Sequence, residues 1–111
     1  MKILVTGNRG FVGTETQKYL EEQGHHVVGY DIMDNRDIRD FNQLETICRE
    51  TMPDRILHLA AVARFSDADD CATKSDPLTY ETNVDGTRNV AHVAKKYHIP
   101  VVYASTGSVY M

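Results

Sequence analysis

The feature that most narrows the fold is a set of three glycines, Gly7, Gly10 and Gly13, spaced at every third position in Thr6-Gly7-Asn8-Arg9-Gly10-Phe11-Val12-Gly13. They follow the β-branched run Lys2-Ile3-Leu4-Val5-Thr6 and open a helical stretch, about 11–23, that stops at Gly24. A strand, a glycine turn and a helix in immediate succession suit a parallel strand feeding a crossover helix. Three more apolar runs follow: His26-Val27-Val28-Gly29-Tyr30, Arg55-Ile56-Leu57-His58-Leu59 and Pro100-Val101-Val102-Tyr103-Ala104. Apolar residues at consecutive positions fit strands buried on both faces. A second helix is expected from Asp40, a suitable N-cap, with Leu44, Ile47 and Cys48 on one face and its end before Pro53. A third spans about 77–97, with Pro77 in the first turn and Val90, Ala94 and Tyr97 at helical spacing.

The order β-α-β-α-β-α-β, with right-handed crossovers, predicts an α/β fold: a three-layer, doubly wound, Rossmann-type parallel sheet. The expected strand order is 3-2-1-4. A length of 111 residues supports one domain, 1–111. The net charge of -4 argues against binding nucleic acid or an anionic membrane by bulk charge. No apolar run approaches the roughly 18 residues of a membrane span. Met1-Lys2 leads straight into Ile3-Leu4-Val5 without signal-peptide architecture, so a cytoplasmic protein is expected. Cys48 and Cys71 have no CxxC or zinc spacing and read as reduced thiols. Positions 61–76 carry Ser66, Asp67, Asp69, Asp70, Ser75 and Asp76 and read as a long solvated loop. Its acids lack a calcium-loop pattern, so no metal is expected.

Each glycine has a physical use. Gly7 turns the chain sharply off the first strand, Gly10 leaves room for a diphosphate to approach the backbone, and Gly13 lets the helix pack on the sheet. The helix N-terminus turns free N–H groups and a positive dipole end toward such an anion. No Lys-Ser or Lys-Thr follows the last glycine, which excludes a P-loop. Asp31 closes the second run, where a carboxylate can accept both ribose hydroxyls of an adenosine and repel a 2′-phosphate. NAD is therefore expected ahead of NADP, although Arg36 nearby leaves NADP open. A glycine turn without a ligand would cost chain entropy to no purpose.

These residues resemble the extended short-chain dehydrogenase/reductases, the NAD-dependent epimerase/dehydratase group acting largely on nucleotide sugars. Asp37-Ile38-Arg39-Asp40 resembles the segment on the adenine, which implies Asp37 near its amino group and Ile38 against its ring. His58-Leu59-Ala60-Ala61 resembles the end of a strand bordering the cofactor. Tyr80-Glu81-Thr82-Asn83-Val84-Asp85-Gly86-Thr87-Arg88-Asn89 resembles the helix over the active site, including Asn83. Ser105-Thr106-Gly107-Ser108-Val109-Tyr110 resembles the stretch bearing the catalytic hydroxyl, which falls on Thr106. The resemblance implies cofactor contacts from Gly7, Asn8, Arg9, Gly10, Phe11, Val12, Gly13, Asp31 and Ile32. It implies further contacts from Asp37, Ile38, Leu59, Ala60, Ala61 and Asn83. Taken alone, His58 is equally a core histidine, and Asn83 and Asn89 read as surface polar residues.

The family also uses a tyrosine followed four residues on by lysine. The tyrosine removes a substrate proton, and the lysine lowers its pKa and holds the ribose. None of the six tyrosines here has that lysine. The expectation is therefore an N-terminal, truncated part of a nucleotide-sugar epimerase/dehydratase-type oxidoreductase, with hydride transfer between a sugar hydroxyl or ketone and NAD. The alternative is a non-catalytic dinucleotide-binding or sensing module. An unpaired fourth strand would favour self-association.

Overall fold

In the computed structural model the described residues are 1–60 and 84–103. The acidic loop, Cys71, Pro77, Ala61, Asn83 and Thr106 lie outside them. The elements run β1 (Lys2–Thr6), α1 (Phe11–Glu22), β2 (His26–Tyr30), a 3-10 turn (Ile32–Asp34), α2 (Phe41–Thr51), β3 (Arg55–His58), α3 (Gly86–Tyr97) and β4 (Val101–Tyr103). Helix ends follow local chemistry. Gly24, at φ +89°, takes the left-handed position after α1, and its N–H closes on Glu21 O at 3.0 Å. Asp40 caps α2 as expected, its carboxylate accepting the N–H of Gln43 at 3.1 Å.

All four strands are parallel. β1 pairs with β2 from Lys2↔His26 to Thr6↔Tyr30, and with β3 from Ile3↔Arg55 to Thr6↔His58. β4 pairs with β3 from Ile56↔Val101 to His58↔Tyr103. The strand order is β2-β1-β3-β4, which corrects the expected 3-2-1-4. The reason lies in the face that α2 occupies. Leu44 and Cys48 of α2 join Val90, Val93 and Ala94 of α3 in one core with Leu4, Tyr30 and Ile56. α1 packs on β1 and β2 from the other side, over Ile3 and Val5. A right-handed crossover advances in opposite directions on opposite faces of a sheet. With α1 on one face, β2 falls to one side of β1. With α2 and α3 on the other, β3 and β4 fall to the opposite side.

This order keeps the three layers and places a topological switch at β1. In open α/β sheets such a switch leaves a crevice beyond the carboxyl ends of the strands, where ligands bind. Here that end holds Gly7, Asp31, Leu59 and Ala60. The two sheet edges differ. At β2 the Arg36 guanidinium donates to the Gly29 carbonyl and covers part of the edge. At β4, Val102 and Tyr103 are exposed.

Candidate functional site

The glycine turn is built by close approach. Gly7 has φ +73°, and its N–H donates to Tyr30 O at 2.8 Å. A Cβ there would stand 2.9 Å from both N and Cα of Ala60. A Cβ on Gly13 would stand 2.0 Å from Gly7 O and 2.8 Å from Asn8 Cα. Gly13 therefore lets α1 pack on the turn's own backbone, not on the sheet as the sequence suggested. Gly10 differs from both, because a Cβ there would meet only Gly7 O, at 3.4 Å. Nothing inside the described protein requires glycine at position 10. Its open side faces out at the N-cap of α1, where no side chain caps the helix and no acid sits in the first turn. The first-turn N–H groups lack intrahelical acceptors and carry the positive dipole end.

Asp31 stands opposite. Its side chain is 8% exposed, with Oδ2 accepting the backbone N–H of Arg9 at 2.9 Å and Oδ1 accepting that of Met33 at 2.9 Å. An ionised carboxylate has about four acceptor positions, so two bonds leave capacity for hydroxyl donors. The Arg9 guanidinium reaches Asp34 Oδ1 at 3.1 Å, and Arg36 is engaged with Gly29. Both cations near Asp31 thus already hold acceptors.

The remaining residues divide. Phe11 is 93% exposed, and Val12 and Ile32 are exposed beside the crevice mouth. Leu59 and Ala60 are half-buried and abut the Gly7 turn. The backbone of Asn8 belongs to the turn, beside Gly13, while its side chain points inward. It is buried between β2 and α1, where Nδ2 donates to Gln17 Oε1 at 2.9 Å and Oδ1 has no partner. The Ile38 side chain sits in the core against Gly86. Asp37 is chelated by Arg39, with Arg39 Nη2 donating to Oδ2 at 2.7 Å, and this hydrogen bonding holds its carboxyl below the usual range.

Sequence reasoning missed several polar ties. Thr6 Oγ1 accepts the N–H groups of Leu59 at 2.9 Å and Ala60 at 3.0 Å and lies 2.7 Å from His58 Nδ1. His58 Nε2 lies 3.1 Å from Thr87 Oγ1. Burial pushes the imidazole pKa down to about 4. Asn89, read as a surface residue, donates from Nδ2 to the carbonyls of Ile38 at 3.1 Å and Arg39 at 3.0 Å. Burial also raises the Cys48 thiol to about 11, leaving it inert as a nucleophile. Among the described residues no group of three or more His, Cys, Asp or Glu could hold a metal, and no helix is long and apolar enough to cross a membrane.

Comparison with known proteins gives the same architecture. The family model described as the RmlD substrate binding domain matches residues 1–111. A UDP-glucose 4-epimerase of Halalkalibacterium halodurans is 30% identical over 99% of this chain and 36% of its own length. The structure of the Thermus thermophilus UDP-glucose 4-epimerase in complex with NAD superposes with a TM-score of 0.83 at 29% identity, over 96% of this chain and 38% of that one. The structure of dTDP-4-dehydrorhamnose reductase from Bacillus anthracis in complex with NADP superposes with a TM-score of 0.78 at 27% identity, over 92% and 35%. The chain thus spans well under half the length of these relatives.

Proposed function

The chain belongs to the family of the RmlD substrate binding domain, and from that premise we propose that its crevice binds a nicotinamide dinucleotide, NAD ahead of NADP, as the dinucleotide-binding part of a nucleotide-sugar epimerase/dehydratase-type oxidoreductase. The observation that carries this reading is the pairing of an uncapped α1 N-terminus, open at Gly10, with the Asp31 carboxylate across from it. The cradle would hold a diphosphate with the N–H groups after Gly10, and Asp31 would accept ribose hydroxyls. Phe11, Val12, Ile32, Leu59 and Ala60 border the same space. Ala61, Asn83 and Thr106 complete the proposed site, with Thr106 supplying a hydroxyl to the sugar. Relatives solved with NAD and with NADP support either nicotinamide cofactor. The acids Asp31 and Asp34, together with two engaged arginines, favour NAD. When bound, the nicotinamide supplies the hydride acceptor, while this chain's residues bind and orient it.

Titration calorimetry with NADH and NADPH tests the reading. NADH binding at micromolar concentration, with NADPH weaker, is expected. Absence of binding by both at millimolar concentration would contradict it. A second reading is a dinucleotide-binding or sensing module without turnover, which the same crevice between Gly10 and Asp31 would serve equally. Turnover of nucleotide sugars by this chain would exclude that module. The reading also includes one cytoplasmic domain over 1–111 that self-associates through the β4 edge, where Val102 and Tyr103 are exposed. Light scattering at rising concentration would then show a mass above 12.5 kDa, and a constant monomer mass would reject the self-association.

A further inference from the structure

We infer that His58 is a positioning residue, a neutral imidazole protonated on Nε2 that ties three walls of the crevice into one unit and thereby sets its affinity for the dinucleotide. The inference rests on the dinucleotide reading for its consequence, though not for its geometry.

The protonation follows from counting donors and acceptors around one hydroxyl. Thr6 Oγ1 receives two backbone donors: Leu59 N–H at 2.9 Å, which is shared with the Thr6 carbonyl at 3.1 Å, and Ala60 N–H at 3.0 Å. A threonine hydroxyl has two lone pairs and one proton. With both lone pairs engaged, the proton is left for His58 Nδ1 at 2.7 Å. Nδ1 is therefore an acceptor and bare. The ring proton resides on Nε2, which donates to Thr87 Oγ1 at 3.1 Å. The ring is 5% exposed, with its edge against Tyr103 at a centroid distance of 5.9 Å. Protonation would set an Nδ1–H against the hydroxyl proton of Thr6, and burial disfavours the charge as well.

The ring's two hydrogen-bond partners, Thr6 and Thr87, and the Leu59 and Ala60 backbone held by the Thr6 hydroxyl give the ring its role. Thr6 is the residue before Gly7, so it anchors the entry of the glycine turn. Leu59 and Ala60 are the exit of β3, and their backbone lies where a Gly7 Cβ would be. Thr87 sits in the first turn of α3. One imidazole thus couples the diphosphate cradle, the floor of the crevice and the start of the helix beside it. A shift in any one wall breaks a buried or part-buried hydrogen bond in another, and such bonds are costly to leave unmade.

The test combines spectroscopy with variants. In wild-type protein at neutral pH, long-range ¹⁵N–¹H correlation spectra should show His58 as the neutral tautomer protonated on Nε2, with and without cofactor. His58→Phe keeps ring volume and the Tyr103 contact but loses both polar arms, and it should bind NADH about tenfold more weakly. His58→Asn returns an acceptor to the Thr6 hydroxyl and should recover most of that loss. A ring protonated on Nδ1, or a charged ring, would overturn the inference. So would a folded His58→Phe that binds NADH like wild type, or an Asn variant no better than Phe. If wild-type protein binds no NADH, the functional reading fails. The tautomer spectrum then still decides the lock on its own.

Discussion

The backbone N–H of Arg9 donates to Oδ2 of Asp31 over 2.9 Å, so the carboxylate at the tip of β2 holds the glycine turn that follows β1. The other oxygen of Asp31 caps the 3-10 turn through Met33 N–H. One side chain therefore serves both the shape of the crevice and its proposed selectivity. Asp31→Asn preserves the shape of the side chain but removes its charge. It should weaken NADH and narrow the gap to NADPH, as read by parallel calorimetric titrations. Asp31→Ala should also lose about 1 kcal/mol of stability in urea unfolding, the usual cost of a lost N-cap. An unchanged NADH/NADPH ratio in Asp31→Asn would show that the ribose is not read here.

Gly10 and Gly13 should respond oppositely to alanine. At Gly13 the new methyl collides with backbone 2.0 Å away, which nothing flexible can relieve. Gly13→Ala should cost about 3 kcal/mol or more by denaturant unfolding. Gly10→Ala sets its methyl in no more than van der Waals contact with Gly7 O, at 3.4 Å, with φ -78°, so stability should change by only about 0.5 kcal/mol. NADH binding should nonetheless fall sharply, because the methyl occupies the proposed diphosphate path. A Gly10→Ala protein that binds NADH normally would place the diphosphate elsewhere.

Much of this was legible in the sequence, for reasons that differ by residue. The strand runs, the left-handed stop at Gly24 and the Asp40 cap are local, set by residues within a few positions of one another. The strand order was not local. It depends on which face α2 covers, and Leu44 and Cys48 show a helical apolar stripe that would suit either face. The Thr6–His58–Thr87 chain joins residues far apart in sequence, and nothing near His58 announces its partners. In sequence, the neighbours of Asn8 group it with the cradle. The structure buries its side chain under Gly29, a contact that the β1–β2 register creates.

Gly29 offers a direct check of that contact. A Cβ there would lie 2.4 Å from Asn8 Nδ2, so the two positions share one space. Gly29→Ala should destabilise the protein, and Asn8→Ala in the same chain should restore part of the loss. A double-mutant cycle should give a coupling of about 1–2 kcal/mol. Strict additivity would mean that the side chains do not compete.

Stability should fall with acid through His58. The unfolded imidazole titrates near 6.5, and burial lowers the native one to about 4. Thr6, Thr87 and the Tyr103 ring face it. Below pH 6.5 the unfolded chain takes up a proton that the native chain refuses, so stability is lost as pH falls toward about 4 and is retained in full above 6.5. The loss should amount to about 3 kcal/mol at most. Urea unfolding of wild type and His58→Phe at several pH values checks it, because the phenylalanine variant should lack this part of the slope. Parallel slopes would contradict a buried neutral ring.

The central claim is tested most directly by following backbone amide ¹H–¹⁵N resonances while NADH is titrated into the ¹⁵N-labelled chain. The account predicts saturable shifts concentrated at Gly7, Arg9, Gly10, Phe11 and Val12, with a second group at Asp31 and Ile32. Saturation with those amides unmoved, or shifts confined to the β4 edge, would contradict it.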